Sequence, residues 1–187
     1  MENEVGGIIL CGGKSSRFGS DKGSYKFRNK KMIKYSIDLL KKFTNDMIIA
    51  GPEIVKDDTI RYVNDIFPSS GPMGGLHAGL MNSLKPFNIV LACDIPFANV
   101  SLIQKLISKK IETDIKIFQT PDNKYHPLLG VYHKNICQDL ESHLKTGHHK
   151  LTQFIFSQDH EIIRLSENDH LKSFVNLNYL KEAKKYE

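Results

Sequence analysis

The chain has few cysteines, no long apolar run and little net charge, and each shortage narrows what it can be. Only Cys11, Cys93 and Cys137 occur among 187 residues. They are odd in number, lack CxxC spacing and lie in apolar stretches, which favours small buried hydrophobes in a reducing cytoplasm over a disulfide or zinc framework. No stretch approaches the roughly 18 apolar residues of a membrane span. The opening Met1-Glu2-Asn3-Glu4 is acidic, and the run Ile8-Ile9-Leu10-Cys11 behind it is too short for a signal-peptide core. A cytoplasmic protein with no membrane partner is expected.

What is present is ordinary for a globular chain: 40% hydrophobic and 25% charged residues, at a length slightly above that of one typical domain. A single domain over residues 1–187 is expected. The net charge of +5 is unevenly spread. Lys14, Arg17, Lys22, Lys26, Arg28, Lys30, Lys31 and Lys34 face a single acid, Asp21, which points to an anionic ligand. No nucleic-acid motif or aromatic-basic interleaving accompanies the cluster, so a nucleotide's phosphates fit better than nucleic acid. Lys30, Lys31 and Lys34 read as a solvated face.

Short apolar runs at 7–11, 47–50, 61–63, 88–93 and 115–118 read as strands. Between them, Ile33, Ile37 and Leu40, and again Leu102, Ile103, Leu106 and Ile107, recur at helical spacing and form apolar faces. The order β-α-β-β-α-β-α-β predicts an α/β three-layer sandwich with a mostly parallel, Rossmann-like sheet. Ligands of such sheets bind beyond the carboxyl ends of the strands, where Cys11, Val63 and Cys93 each hand over to a loop. In the last third, 128–132 reads as a strand, 136–144 as a helix, 172–175 as a strand and 179–186 as a closing helix. His143, His148 and His149 read as surface residues of a polar stretch rather than metal ligands.

The sharpest local feature follows the first strand: Leu10-Cys11-Gly12-Gly13-Lys14-Ser15-Ser16-Arg17-Phe18-Gly19-Ser20-Asp21-Lys22. Glycines let backbone N–H groups approach a phosphate, and Arg17 and Lys22 add charge. A P-loop requires four residues between its glycines followed by Gly-Lys-Ser/Thr, and a Rossmann fingerprint requires G-x-G-x-x-G; neither fits. Asp94 closes the run 88–93 in Cys-Asp-Ile-Pro-Phe. A carboxylate ending a buried strand costs desolvation unless a cation meets it, and beside phosphates that cation is Mg²⁺. Its other reading, a helix cap, is weakened by Pro96 and by Asn99 and Ser101, which lie nearer the next helix. Asp65 followed by Gly71-Pro72-Met73-Gly74-Gly75-Leu76 by itself suggests only a turn before a helix.

The pattern L-x-G-G-x-S-x-R-F-G-x-D-K resembles the nucleotide loop of the molybdenum-cofactor guanylyltransferases (the MobA family), within the nucleotide-diphospho-sugar transferase superfamily. Asp65 with the Gly-Pro-x-Gly-Gly segment, Cys93-Asp94-Ile95-Pro96-Phe97, His126-Pro127 and Asn176-Leu177-Asn178 resemble its later motifs in order, so the resemblance runs from Leu10 to Asn178. It implies the nucleotide-diphospho-sugar transferase fold and transfer of GMP from GTP to Mo-molybdopterin, releasing pyrophosphate. By the same resemblance Leu10, Cys11, Gly12 and Gly13 cup guanine and ribose, Arg17 and Lys22 meet the triphosphate, Asp65 contacts the nucleotide, and Asp94 holds Mg²⁺. His126, Asn176 and Asn178 line the pterin side. Molybdoenzyme chaperones or upstream cofactor-synthesis proteins are the implied protein partners. Cytidylyl relatives carry Ala-Ala-Gly where this chain has Cys11-Gly12-Gly13, and His126-Pro127 argues against a sugar acceptor. A non-catalytic nucleotide sensor is the rival from another class. The chain departs from the family pattern at Cys11, at Phe18, at Ala50-Gly51-Pro52, where some members place an Asn on the nucleotide, and at Tyr179-Leu180 after the late Asn pair.

Overall fold

Apolar runs become strands wherever they are bounded by turn residues, and the amphipathic stretches between them become helices. The computed structural model describes residues 5–12, 22–108, 110–167, 169, 171–177 and 186. In chain order the elements are β1 (Val5–Leu10), β2 (Lys26–Phe27), β3 (Lys30–Lys31), α1 (Met32–Leu40), β4 (Met47–Ala50), β5 (Ile60–Val63), α2 (Pro72–Asn82), β6 (Phe87–Ala92), α3 (Val100–Ile107), β7 (Ile115–Gln119), β8 (Tyr125–His133), α4 (Cys137–Lys145), α5 (Leu151–Ser157) and β9 (His160–Arg164).

Seven strands form one sheet in the order β5-β4-β1-β6-β8-β7-β9. Pairings are parallel throughout except that β8 runs antiparallel to both β6 and β7. From β1 the chain winds outward to β4 and β5, then returns across β1 to β6. The strand order therefore reverses between β1 and β6, which makes their carboxyl ends the switch point where open α/β sheets bind ligands.

Alternation along each central strand splits the core in two. Ile9 of the first strand and Cys11 just after it join Ile33, Ile37 and Leu40 of α1 and Leu102, Ile103 and Leu106 of α3 on one face. Ile8 and Leu10 join Leu76 and Leu80 of α2, Leu140 of α4 and Phe154 of α5 on the other. The result is the expected three-layer sandwich, with helices on both faces of a mostly parallel sheet. No helix among the described residues is long and apolar enough to cross a membrane.

Residues 172–175 were expected as a strand, and this is corrected: Leu171–Phe174 is a 3-10 helix. Its apolar residues are spaced for packing against the sheet end, since Phe174 meets Phe118 edge to face with ring centroids 5.5 Å apart. The β2–β3 hairpin, α5 and β9 had no expectation attached. Arg28 and Asn29 both take positive φ (48° and 61°), the two-residue turn geometry of a tight hairpin. Apart from Tyr186, the expected closing helix at 179–186 lies outside the described residues.

Candidate active site

The first strand delivers Cys11-Gly12 to the switch point through backbone hydrogen bonds to both neighbouring strands. The Cys11 amide donates to Ala50 O (2.9 Å), and the Cys93 amide donates to Leu10 O (3.0 Å). Cys11-Gly12 and Cys93-Asp94 therefore leave the sheet side by side. Leu10 and Cys11 are buried, and Gly12 is exposed with nothing within 4 Å of where a Cβ would stand, so the loop's first peptide faces open space. Gly13 and Arg17 lie outside the described residues, as does the side chain of Lys22.

Asp94 is 8% exposed at the end of β6. It does not cap α3: Asn99 does, its side chain accepting from Leu102 N at 3.2 Å while Ser101 Oγ donates to it. The turn around Asp94 is held from two sides. Ser36 Oγ of α1 donates to Ala92 O (3.1 Å), and the Leu177 amide donates to Asp94 O (2.9 Å). A single buried carboxylate fits Mg²⁺, which keeps several waters and takes one or two carboxylates plus substrate phosphates. Among the described residues no group of three or more His, Cys, Asp or Glu side chains could enclose a metal on its own.

Asp65 follows β5 and lies over the first turn of α2. A Cβ added to Gly74 would stand 3.1 Å from Asp65 Oδ2 and 3.0 Å from Phe67 O, and one added to Gly75 would stand 3.5 Å from Asp65 Oδ1 and 3.3 Å from Leu10 Cδ2. The paired glycines thus make room for this carboxylate beside the end of the first strand. The residue as a whole is exposed, but enclosure of its carboxyl raises the Asp65 pKa above the usual carboxylate value.

The departure at Ala50-Gly51-Pro52 has a steric cause. Gly51 takes φ +143°, and a Cβ there would stand 1.8 Å from Cys11 O. No side chain fits at position 51 while the glycine loop keeps its place.

His126, expected on the acceptor side, reaches this sheet edge because β8 runs against its neighbours. Its first residues, Tyr125 and His126, therefore lie at the same sheet edge as the last residues of β6 and β7. The β7–β8 register shifts between Ile117, paired with Gly130, and Phe118, paired with His126. Pro127, which has no N–H to donate, sits in this bulge. Its carbonyl accepts from Tyr132 Oη at 2.6 Å. The bulge walls a cavity of about 150 Å³ lined by His126, Pro127, Leu128, Ile95, Phe174 and Asn176 among others. His126 and Asn176, 50 residues apart in the chain, thus share one cavity adjoining the Asp94 turn, while Asn178 lies outside the described residues. His126 stacks on Phe174 (4.3 Å), and burial lowers its pKa below the ordinary imidazole value.

Phe174, Ile95 and Thr120, whose Oγ1 lies 2.9 Å from His126 Nε2, had no functional expectation attached. Pro121-Asp122-Asn123 was the available signal, since such a cluster marks a hairpin turn and would have placed Thr120 beside His126. Of the three cysteines expected to be buried, Cys11 and Cys93 are, while Cys137 is half-buried, and burial pushes its thiol up to about 11. His148 and His149 are exposed.

The model of the MobA-like NTP transferase domain matches residues 7–162. The chain belongs to the MobA-like NTP transferase family. Within this family, a Flavobacterium johnsoniae protein named "Probable molybdenum cofactor guanylyltransferase" is 36% identical over 171 residues, 88% of each chain. Among solved structures, molybdopterin-guanine dinucleotide biosynthesis protein A from Archaeoglobus fulgidus matches at a TM-score of 0.75 and 21% identity, covering 96% of this chain and 95% of its own. The 2-C-methyl-D-erythritol 4-phosphate cytidylyltransferase of Thermus thermophilus matches at 0.70 and 8% identity, covering 97% and 96%. The fold is that of the nucleotide-diphospho-sugar transferases, and the family membership makes the chain a nucleotidyltransferase.

Proposed function

We propose that the chain transfers GMP from GTP to Mo-molybdopterin, giving the guanine dinucleotide cofactor and pyrophosphate. One observation carries the reading: the Leu10–Cys93 hydrogen bond sets Cys11-Gly12, the start of the glycine loop, beside Cys93-Asp94 at the switch point of a nucleotidyltransferase sheet. The choice of guanine and pterin is supported by what the 36% identical relative is named for and by the Gly12-Gly13 pair.

In this reading the terminal phosphate of Mo-molybdopterin attacks the α-phosphorus of GTP, and the bond to the β-phosphate oxygen breaks. The nucleophile is already ionised near neutral pH, so no general base is required. The work left to the protein is alignment and neutralisation of charge. Leu10, Cys11, Gly12 and Gly13 cradle guanine and ribose with their backbone, and Asp65 contacts the nucleotide. Arg17 and Lys22 neutralise the triphosphate and the departing pyrophosphate. Asp94 holds Mg²⁺, which supplies Lewis-acid polarisation of the phosphates when bound. His126, Asn176 and Asn178 orient the pterin. The enzyme works in the cytoplasm, draws on upstream cofactor-synthesis proteins and hands its product to molybdoenzyme chaperones.

The test is pyrophosphate release from each NTP, with and without molybdopterin. Release from GTP only when pterin is present is expected. Binding of GTP with no release under any condition would make the chain a sensor, and release from CTP instead of GTP would change the base. Asp94→Ala should abolish release while leaving thermal unfolding close to wild type; substantial turnover in that variant removes the metal role.

A further inference from the structure

Thr120 directly follows β7 at the same sheet edge as Asp94 and is 8% exposed. Its Oγ1 meets three polar atoms: Asp122 Oδ1 at 2.5 Å, Lys124 O at 3.3 Å and His126 Nε2 at 2.9 Å. A hydroxyl has one proton to give. The carbonyl can only accept, and so can the Asp122 carboxylate, which Lys124 (2.6 Å) and this hydroxyl hold ionised with its pKa down at about 2. The hydroxyl proton therefore goes to this pair, with Asp122 the closer. Nε2 must then carry a proton and donate it to Oγ1, because the opposite assignment would leave Oγ1 and the carboxylate oxygen at 2.5 Å with no proton between them. In the neutral ring Nδ1 is left as a bare acceptor.

The hairpin fixes this arrangement independently of any ligand. The Thr120 amide donates to Lys124 O (3.0 Å), the Asn123 amide donates to Thr120 O (2.9 Å), and Phe174 covers one side of the imidazole. From this geometry we infer that Thr120 is a positioning residue: locked by Asp122, it holds His126 in the Nε2–H form so that the ring offers the acceptor cavity a hydrogen-bond acceptor, suited to an N–H of a pterin-like heterocycle. The choice of ligand rests on the proposed function; the proton assignment does not.

The experiment therefore has two arms. In ¹⁵N spectra of the free protein at pH 7.5, the wild type and Thr120→Ser should show His126 with its proton on Nε2, slow to exchange, and Thr120→Val should lose that protected signal. A wild-type proton on Nδ1 overturns the inference. In steady-state transfer, Thr120→Val should raise KM for the pterin acceptor about five- to tenfold, the worth of one hydrogen bond, with kcat and KM for GTP nearly unchanged and Thr120→Ser restoring the wild type. An unchanged acceptor KM, or an equal rise in both KM values, overturns it. If the wild type transfers nothing to pterin while the spectra match, the proposed function fails and the proton assignment stands.

Discussion

The two ends of the active-site edge are built by different means. At the proposed nucleotide end, parallel strands stop in register and the edge is shaped by backbone and glycine: the Leu10–Cys93 and Cys11–Ala50 hydrogen bonds, Gly51 against Cys11 O, and Gly74-Gly75 under Asp65. At the acceptor end, one reversed strand bulges at Pro127, and a cavity is closed by side chains from three distant segments. A site made of backbone and glycine tolerates almost no change in shape. A site made of packed side chains can be re-cut for a different acceptor while the nucleotide end stays as it is, and the two ends should therefore respond differently to substitution.

The largest effect is expected at Asp94. Asp94→Asn keeps the shape and removes the charge, so transfer should fall by at least about a thousandfold, with Tm close to wild type, as pyrophosphate release and calorimetry can check. Next is Gly51→Ala, where the clash with Cys11 O and the positive φ together should cost about 3 kcal/mol, read as a drop in Tm of roughly 10 °C and a higher KM for GTP. A variant that kept both values would show the nucleotide end to be as adaptable as the acceptor end. Leu177→Ala removes a fully buried side chain packed with Phe27 and Met32 beneath the Asp94 turn, and about 2–3 kcal/mol of stability should go with it. Because the Leu177 amide also holds Asp94 O, this variant should raise both KM values, which locates the point where the two ends meet.

The smallest effect is a control away from both ends. His77 is buried in α2 with neither ring nitrogen hydrogen-bonded among the described residues, and burial lowers its pKa. The unfolded chain then takes up the proton first, so the wild type loses stability as pH falls from about 6.5. His77→Leu should add about 1 kcal/mol at pH 7.5 and remove that acid-side loss, with both KM values unchanged. A destabilised variant would mean that the buried imidazole has a partner worth keeping.

The same contrast explains how much could be read in the sequence. Buried parallel strands announce themselves as apolar runs, as in Ile89-Val90-Leu91-Ala92, and glycines before a basic cluster mark a phosphate loop. The sheet and its helical faces were legible for that reason. The 3-10 helix Leu171–Phe174 was read as a strand because short apolar runs carry no period of their own and its conformation is set by packing on Phe118 and His126. Thr120 was passed over because the Pro121-Asp122-Asn123 turn signal acquires meaning only with the β7–β8 pairing and its bulge, which are pairing facts rather than local ones.

The reversed strand also has a consequence for how the molecule assembles. Because β8 lies between β6 and β7, the sheet order leaves β7 and β9 with no attachment to the first four strands until β8 has paired on both sides. The earlier strands can close around local crossovers, whereas the last three must wait for a segment made after β7 to slide in beside β6, a non-local step that is slow. Until then the β6 edge stands open, its unmatched amides and carbonyls inviting the wrong chain. A lesion in β8, such as a proline at Val131, should therefore show itself first in refolding yield and aggregation rather than in catalysis.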